Sequence, residues 1–118
     1  MRVEEWAAKA PPQGGRGAYD AVTARALAGL EVLVEYGAPL LADEGVLVAW
    51  KGAPDQSEER RGRRAAAQVG LELEEVRRVH PFEGAERRHL YVLRKVGETP
   101  ARFPRRPGMA AKRPLGKE

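Results

Sequence analysis

Two cations stand where strand ends would present them. Arg25 closes the run Tyr19-Asp20-Ala21-Val22-Thr23-Ala24, and Lys51 follows directly on Val46-Leu47-Val48-Ala49-Trp50. Ligands of open α/β sheets bind just past the carboxyl ends of the strands. A second group of cations lies near the end of the chain. Arg102, Arg105, Arg106, Lys112, Arg113 and Lys117 fall among prolines and beside Phe103, a set suited to phosphate contacts with an aromatic stacking handle. Other chemistries lack their residues. There is no cysteine, so no thiol nucleophile and no thiolate metal site. His80 and His89 are separated by a turn and lack carboxylates at ligand spacing, which argues against zinc. No catalytic triad is apparent.

The 118 residues suffice for one small domain with a core, and 42% apolar with 32% charged residues describe a globular protein. No apolar run approaches the ~18 residues of a membrane span, and no signal-peptide pattern is present. Cytoplasm is the default compartment. The net charge of +4 is carried entirely by residues 97–118, where the six cations meet only Glu98 and Glu118. A basic tail on a neutral body points to a polyanionic partner.

These residues need elements to hold them. Residues 19–25 read as a buried strand. Leu30, Leu33, Val34, Gly37 and Leu41 recur at helical spacing, which predicts an amphipathic helix with Glu31 and Glu35 on its wet side. Pro39 should disturb the last turn, and Asp43-Glu44-Gly45 should stop it. Residues 46–50 form a continuous apolar run, as in a strand buried on both faces. Asp55, or else Ser57, caps a helix closed by Gly70. Its Arg60, Arg61, Arg63 and Arg64 could form a nucleic-acid face, but Glu58 and Glu59 a turn away favour a solvated, salt-bridged outer helix. Residues 71–79 and 89–96 read as strands joined by turn residues, hence an antiparallel hairpin. The Gly-rich stretch 13–18 lacks phosphate-loop spacing and reads as a surface connection.

The order β-α-β-α-β-β describes the second half of a doubly wound sheet over residues 1–96. A Pro-rich basic tail without a core of its own follows over 97–118. No glycine-rich strand–helix turn of the nucleotide-binding kind is found, so the chain is expected to be an incomplete domain, with residues 19–25 in mid-sheet.

Five stretches then carry a resemblance: R-V-E-E-W at 2–6, Y-D-A-V-T-A-R-A at 19–26, V-L-V-A-W-K-G at 46–52, G-A-E-R-R-H-L-Y-V-L-R-K at 84–95 and F-P-R-R-P-G-M-A-A-K-R-P-L at 103–115. In this order and spacing the chain resembles the C-terminal half of the GidB (RsmG) family, which methylates a guanine N7 in 16S ribosomal RNA. The resemblance implies a Rossmann-like, class I S-adenosylmethionine-dependent methyltransferase sheet. Val3, Glu4 and Arg25 would then lie at the cofactor, Lys51 would face the substrate, and Arg105, Arg106, Lys112 and Arg113 would contact RNA. The glycine-rich cofactor loop and first strands of the family have no counterpart here. The alternative is a non-catalytic, basic RNA-binding remnant.

Overall fold

A computed structural model describes residues 2–25, 28–52, 55–79 and 88–117. The elements are α1 (Val3–Ala8), β1 (Tyr19–Arg25), α2 (Leu30–Gly37), β2 (Leu41–Lys51), α3 (Gln56–Val69), β3 (Leu71–Val79), β4 (Arg88–Lys95) and α4 (Met109–Lys112). One four-stranded sheet has the order β1-β2-β4-β3, with β1 and β2 parallel and β4 antiparallel to both neighbours. The expected hairpin is present. Its return strand slots between β2 and β3, filling the gap that the α3 crossover leaves.

Local chemistry explains most boundaries. The Asp55 carboxylate accepts the Ser57 and Glu58 backbone N–H groups at 2.9 and 3.2 Å, capping α3 at its otherwise unpartnered donors. Gly70 ends α3 at φ 85°, the left-handed position that glycine takes without strain. A side chain there would also meet the Gly97 carbonyl. Pro39 ends α2 earlier than its apolar spacing suggests, and Ala38–Leu40 continue as one tight 3-10 turn. Strand β2 then begins at Leu41 rather than Val46. Asp43-Glu44-Gly45 does not stop the chain but bulges out of β2. Tyr19 pairs with Leu41 and Ala21 with Val46, Glu44 sits at φ 64°, and Arg94 Nη1 holds the Glu44 carbonyl at 2.9 Å.

Helices α2 and α3 cover one face of the sheet. Leu30, Val34, Leu47, Ala49, Ala65, Val69, Leu71, Tyr91 and Leu93 form the core there. The two helices approach closely at Gly62, where a Cβ would lie 2.5 Å from Leu30 Cδ2. The opposite face is more open. Across it Ala21, Val46 and Arg94 align, then Thr23, Val48 and Val92, then Arg25, Trp50 and Leu90. Trp50 is 37% exposed. Strands β1 and β3 are the edges of the sheet among the described residues, so one side of the β1 backbone lacks a strand partner there.

Two expectations change here. Glu31 and Glu35 are not on a wet side: they are 6% and 0% exposed. Arg61 of α3 reaches Glu31 at 2.6 Å, and Arg105 of the C-terminal segment covers Glu35 at 2.7 Å. That segment also packs on the body rather than trailing from it. Phe103 and Ala110 are both 2% exposed, and Phe103 belongs to the main core.

Candidate functional site

The carboxyl edge of β1 and β2 places the first group of cations. Arg25 is exposed, stands opposite Trp50 in the register, and its side chain has no hydrogen bond or ion pair among the described residues. Lys51 is different. Its side chain is 11% exposed, its Nζ pairs with the Glu58 carboxylate and donates to the Ala28 carbonyl at 3.1 Å. Glu58 also accepts the Leu30 N–H at 2.8 Å. Lys51 therefore ties the loop entering α2 to the start of α3, and its ammonium is turned into the fold instead of toward a substrate. His89 lies beside it, with Nδ1 2.8 Å from the Gly52 carbonyl. His80 falls outside the described residues. Among the described residues no cluster of metal-ligating side chains occurs.

Helix α1 and β1 meet around one apolar cavity of about 170 Å³, lined by Val3, Val22, Ala24, Leu33, Tyr36 and Leu40 among others. Burial raises the Tyr36 phenol above its ordinary range, with Glu4 and Glu35 adding to the rise and Arg2 opposing it. Val3 and the strand that ends in Arg25 are thus brought together. The carboxylate of Glu4 points elsewhere. It is 4% exposed, accepts the Gly108 N–H at 2.9 Å and pairs with Arg2 at 3.3 Å. A small-molecule site usually offers ~300–1,000 Å³, and this cavity is smaller.

The second group forms a groove. Arg105, Arg106, Met109, Lys112 and Arg113 line an open cavity of about 630 Å³. A neighbouring crevice of about 700 Å³ shares Lys112 and Arg113 and adds Arg61 and Lys117. Arg106, Lys112 and Arg113 are exposed. Arg105, expected with them as an RNA contact, is instead engaged inside the fold. Its guanidinium grips both Glu35 oxygens, its backbone N–H donates to Glu35 at 2.9 Å, and Nη2 donates to the Arg113 carbonyl at 2.7 Å. Phe103, expected as a stacking handle, is buried in the core, where Arg102 lies 4.7 Å from its ring centre. An apolar ring gains more by burial than by waiting in water.

Two residues that matter went unnoticed in the sequence. Arg16, in the stretch read as a surface connection, donates to the carbonyls of Ala7, Thr99, Pro100 and Phe103, the last at 2.5 Å. Its partners lie up to 87 positions away, and no local pattern marks such a contact. Lys95 is buried and donates to the Ala38 and Leu41 carbonyls at 3.1 and 2.8 Å. Desolvation, and after it Arg16, lowers its pKa below the ordinary lysine range. The alternation of β4 could have flagged it, since Lys95 falls on the same face as Tyr91 and Leu93.

Comparison with known proteins places this arrangement. A solved structure, an antibiotic-resistance methyltransferase named Kmr, superposes with a TM-score of 0.53 at 19% identity over 75% of this chain and 57% of its own. That likeness gives the fold: a Rossmann-like sheet with helices. Curated relatives named ribosomal RNA small subunit methyltransferase G are more similar in sequence. The protein of Rubrobacter xylanophilus is 48% identical over 85% of this chain and 40% of its own length, and that of Deinococcus radiodurans 47% over the same shares. The Lacticaseibacillus paracasei relative is 39% identical over 98% of this chain and 46% of its own. The chain thus spans about two fifths of the length of the curated relatives it matches first. The family model described as GidB, rRNA small subunit methyltransferase G, matches residues 1–91, and the chain belongs to that family.

Proposed function

We propose that this chain supplies the C-terminal half of an S-adenosylmethionine-dependent methyltransferase that modifies a guanine N7 of 16S ribosomal RNA, acting in the cytoplasm. The observation that carries the reading is the family match over residues 1–91. It is supported by a small apolar cavity beside Val3 and a free Arg25 side chain at the strand end. In this reading the Val3–Glu4 backbone and Arg25 form one wall of the cofactor site. The cofactor, when bound, supplies an activated methyl group. The acceptor N7 carries its own lone pair and no proton, so the protein needs no general base; its task is to hold the guanine close and in line. Arg106, Lys112 and Arg113 take RNA phosphates, while Lys51 and Arg105 act from inside the fold by fixing the loop into α2 and the groove wall.

The second reading, a non-catalytic RNA-binding remnant, is favoured by one observation: the open cavity lined by Arg106, Lys112 and Arg113 measures about 630 Å³, against about 170 Å³ for the apolar cavity. Calorimetric titration with S-adenosylmethionine separates the two. We expect no measurable binding by the chain alone, and binding plus methyl incorporation at guanine N7 when the N-terminal part of the Rubrobacter xylanophilus relative is added. RNA binding without either gain in the mixture would favour the remnant. For the groove itself, three single-strand phosphate contacts predict a slope of about −2 in log affinity against log salt, falling to about −1.4 in Arg106→Ala. An unchanged slope would remove Arg106 from the RNA contact.

A further inference from the structure

The cationic segment of residues 105–113 has one buried apolar side chain, Ala110. It is short of apolar anchors, and Arg105, Arg106, Lys112 and Arg113 repel one another. Two buried carboxylates of the body restrain it at its start and middle. Glu35, 0% exposed, takes the Arg105 N–H and guanidinium, and Arg105 passes the restraint on to the Arg113 carbonyl at 2.7 Å. Glu4, 4% exposed, takes the Gly108 N–H at 2.9 Å. Gly108 is the residue from which α4 springs, and α4 presents Met109 and Lys112 to the groove.

We propose that Glu4 and Glu35 are positioning residues of the groove, holding the 105–113 segment in the shape that receives RNA phosphates, so that neutralising either one weakens RNA binding. This rests on the RNA reading given above. Ordering the segment in advance removes an entropy cost that binding would otherwise meet. It also links α1, which carries Val3 and Glu4, to the phosphate groove through one hydrogen bond.

The sign of the effect makes the idea testable. Simple electrostatics says that removing a negative charge near a polyanion site strengthens binding. Positioning says the reverse. Fluorescence anisotropy of a labelled single-stranded RNA, titrated with the full 118-residue chain at several salt concentrations, reads both. We expect Glu4→Gln to weaken binding about three- to tenfold, because its neutral amide oxygen is a weaker acceptor for the Gly108 N–H than the carboxylate. We expect its salt slope to flatten by about 0.7, one phosphate contact. Glu35→Gln should do more. If it fails to fold, Glu4→Gln decides, because it leaves the Arg105–Glu35 pair intact. Binding by Glu4→Gln that equals or exceeds wild type, while Arg106→Ala weakens it, overturns the proposal and leaves the RNA reading standing. No RNA binding by the wild-type chain overturns both.

Discussion

Replacing Arg105 with alanine removes the partner of a carboxylate that water does not reach. The Glu35 side chain is 1% exposed and the Arg105 side chain 26%, so the pair lies at the boundary of the core with its acidic end inside. Breaking a buried pair from one side costs about 3–5 kcal/mol, because the remaining charge stays desolvated. Glu35 would keep the backbone N–H of residue 105 at 2.9 Å, and the guanidinium is partly wet, so the lower end applies: about 3 kcal/mol. For a domain of this size that is a fall in Tm of about 10 °C. Arg106→Ala is the control, since Arg106 is exposed and such changes stay within about 0.5 kcal/mol. Thermal melts followed by circular dichroism measure both. Adding Glu35→Leu to Arg105→Ala should recover part of the loss, because no buried charge remains. An Arg105→Ala shift no larger than that of Arg106→Ala would mean that Glu35 does not hold the C-terminal segment, and the reasoning would fail.

Other residues give further expectations. Arg16→Ala strips a charged donor from carbonyls of Thr99, Pro100 and Phe103; it should cost about 1.5–3 kcal/mol and expose residues 97–106 to limited proteolysis, whereas an unchanged digestion pattern would count against it. Gly62→Ala gains about 1 kcal/mol of helix propensity but forces a methyl to 2.5 Å from Leu30 Cδ2. Overpacking of about 1–3 kcal/mol should win, lowering the urea midpoint; a raised midpoint would show that α2 and α3 can part. Asp55 has its pKa lowered by hydrogen bonds from the Ser57 side chain and the Glu58 and Ser57 backbone. A depressed carboxyl stabilises the fold above its unfolded pKa, and that contribution is lost as pH falls through the folded value. The Tm gap between wild type and Asp55→Ala should therefore narrow as pH falls from about 5 to about 2. A gap that stays constant would detach the cap from its ionisation.

Much of this architecture is legible locally. The cap at Asp55 and the stop at Gly70 follow from local chemistry within four residues, and the apolar run Leu90-Tyr91-Val92-Leu93 marks β4 as a strand. The boundaries of α2 and β2 are less so. Asp43-Glu44-Gly45 carries every sign of a turn, and only the pairing of the flanking Leu41 and Val46 with β1 and the Arg94 hydrogen bond to Glu44 keep it within a strand. The candidate site divides in the same way. Arg25, Val3 and the cations of 105–113 could be picked out by type and position. That Glu4, Lys51 and Arg105 face inward could not, because their partners Gly108, Glu58 and Glu35 are from 7 to 104 positions away.

Residue type and spacing alone determined the element order, the hairpin, the excess of positive charge in residues 97–118 and the membership that five short stretches announce. Tertiary structure decided which of those charges are available to a ligand. A carboxylate on a helix face is wet or buried according to what packs over it, and here the C-terminal segment folds back across α2. The same contact that buries Glu35 turns Arg105 inward and leaves Arg106, Lys112 and Arg113 outside to form the groove. No local rule contains that exchange, because burial and ion pairing are properties of the packed chain.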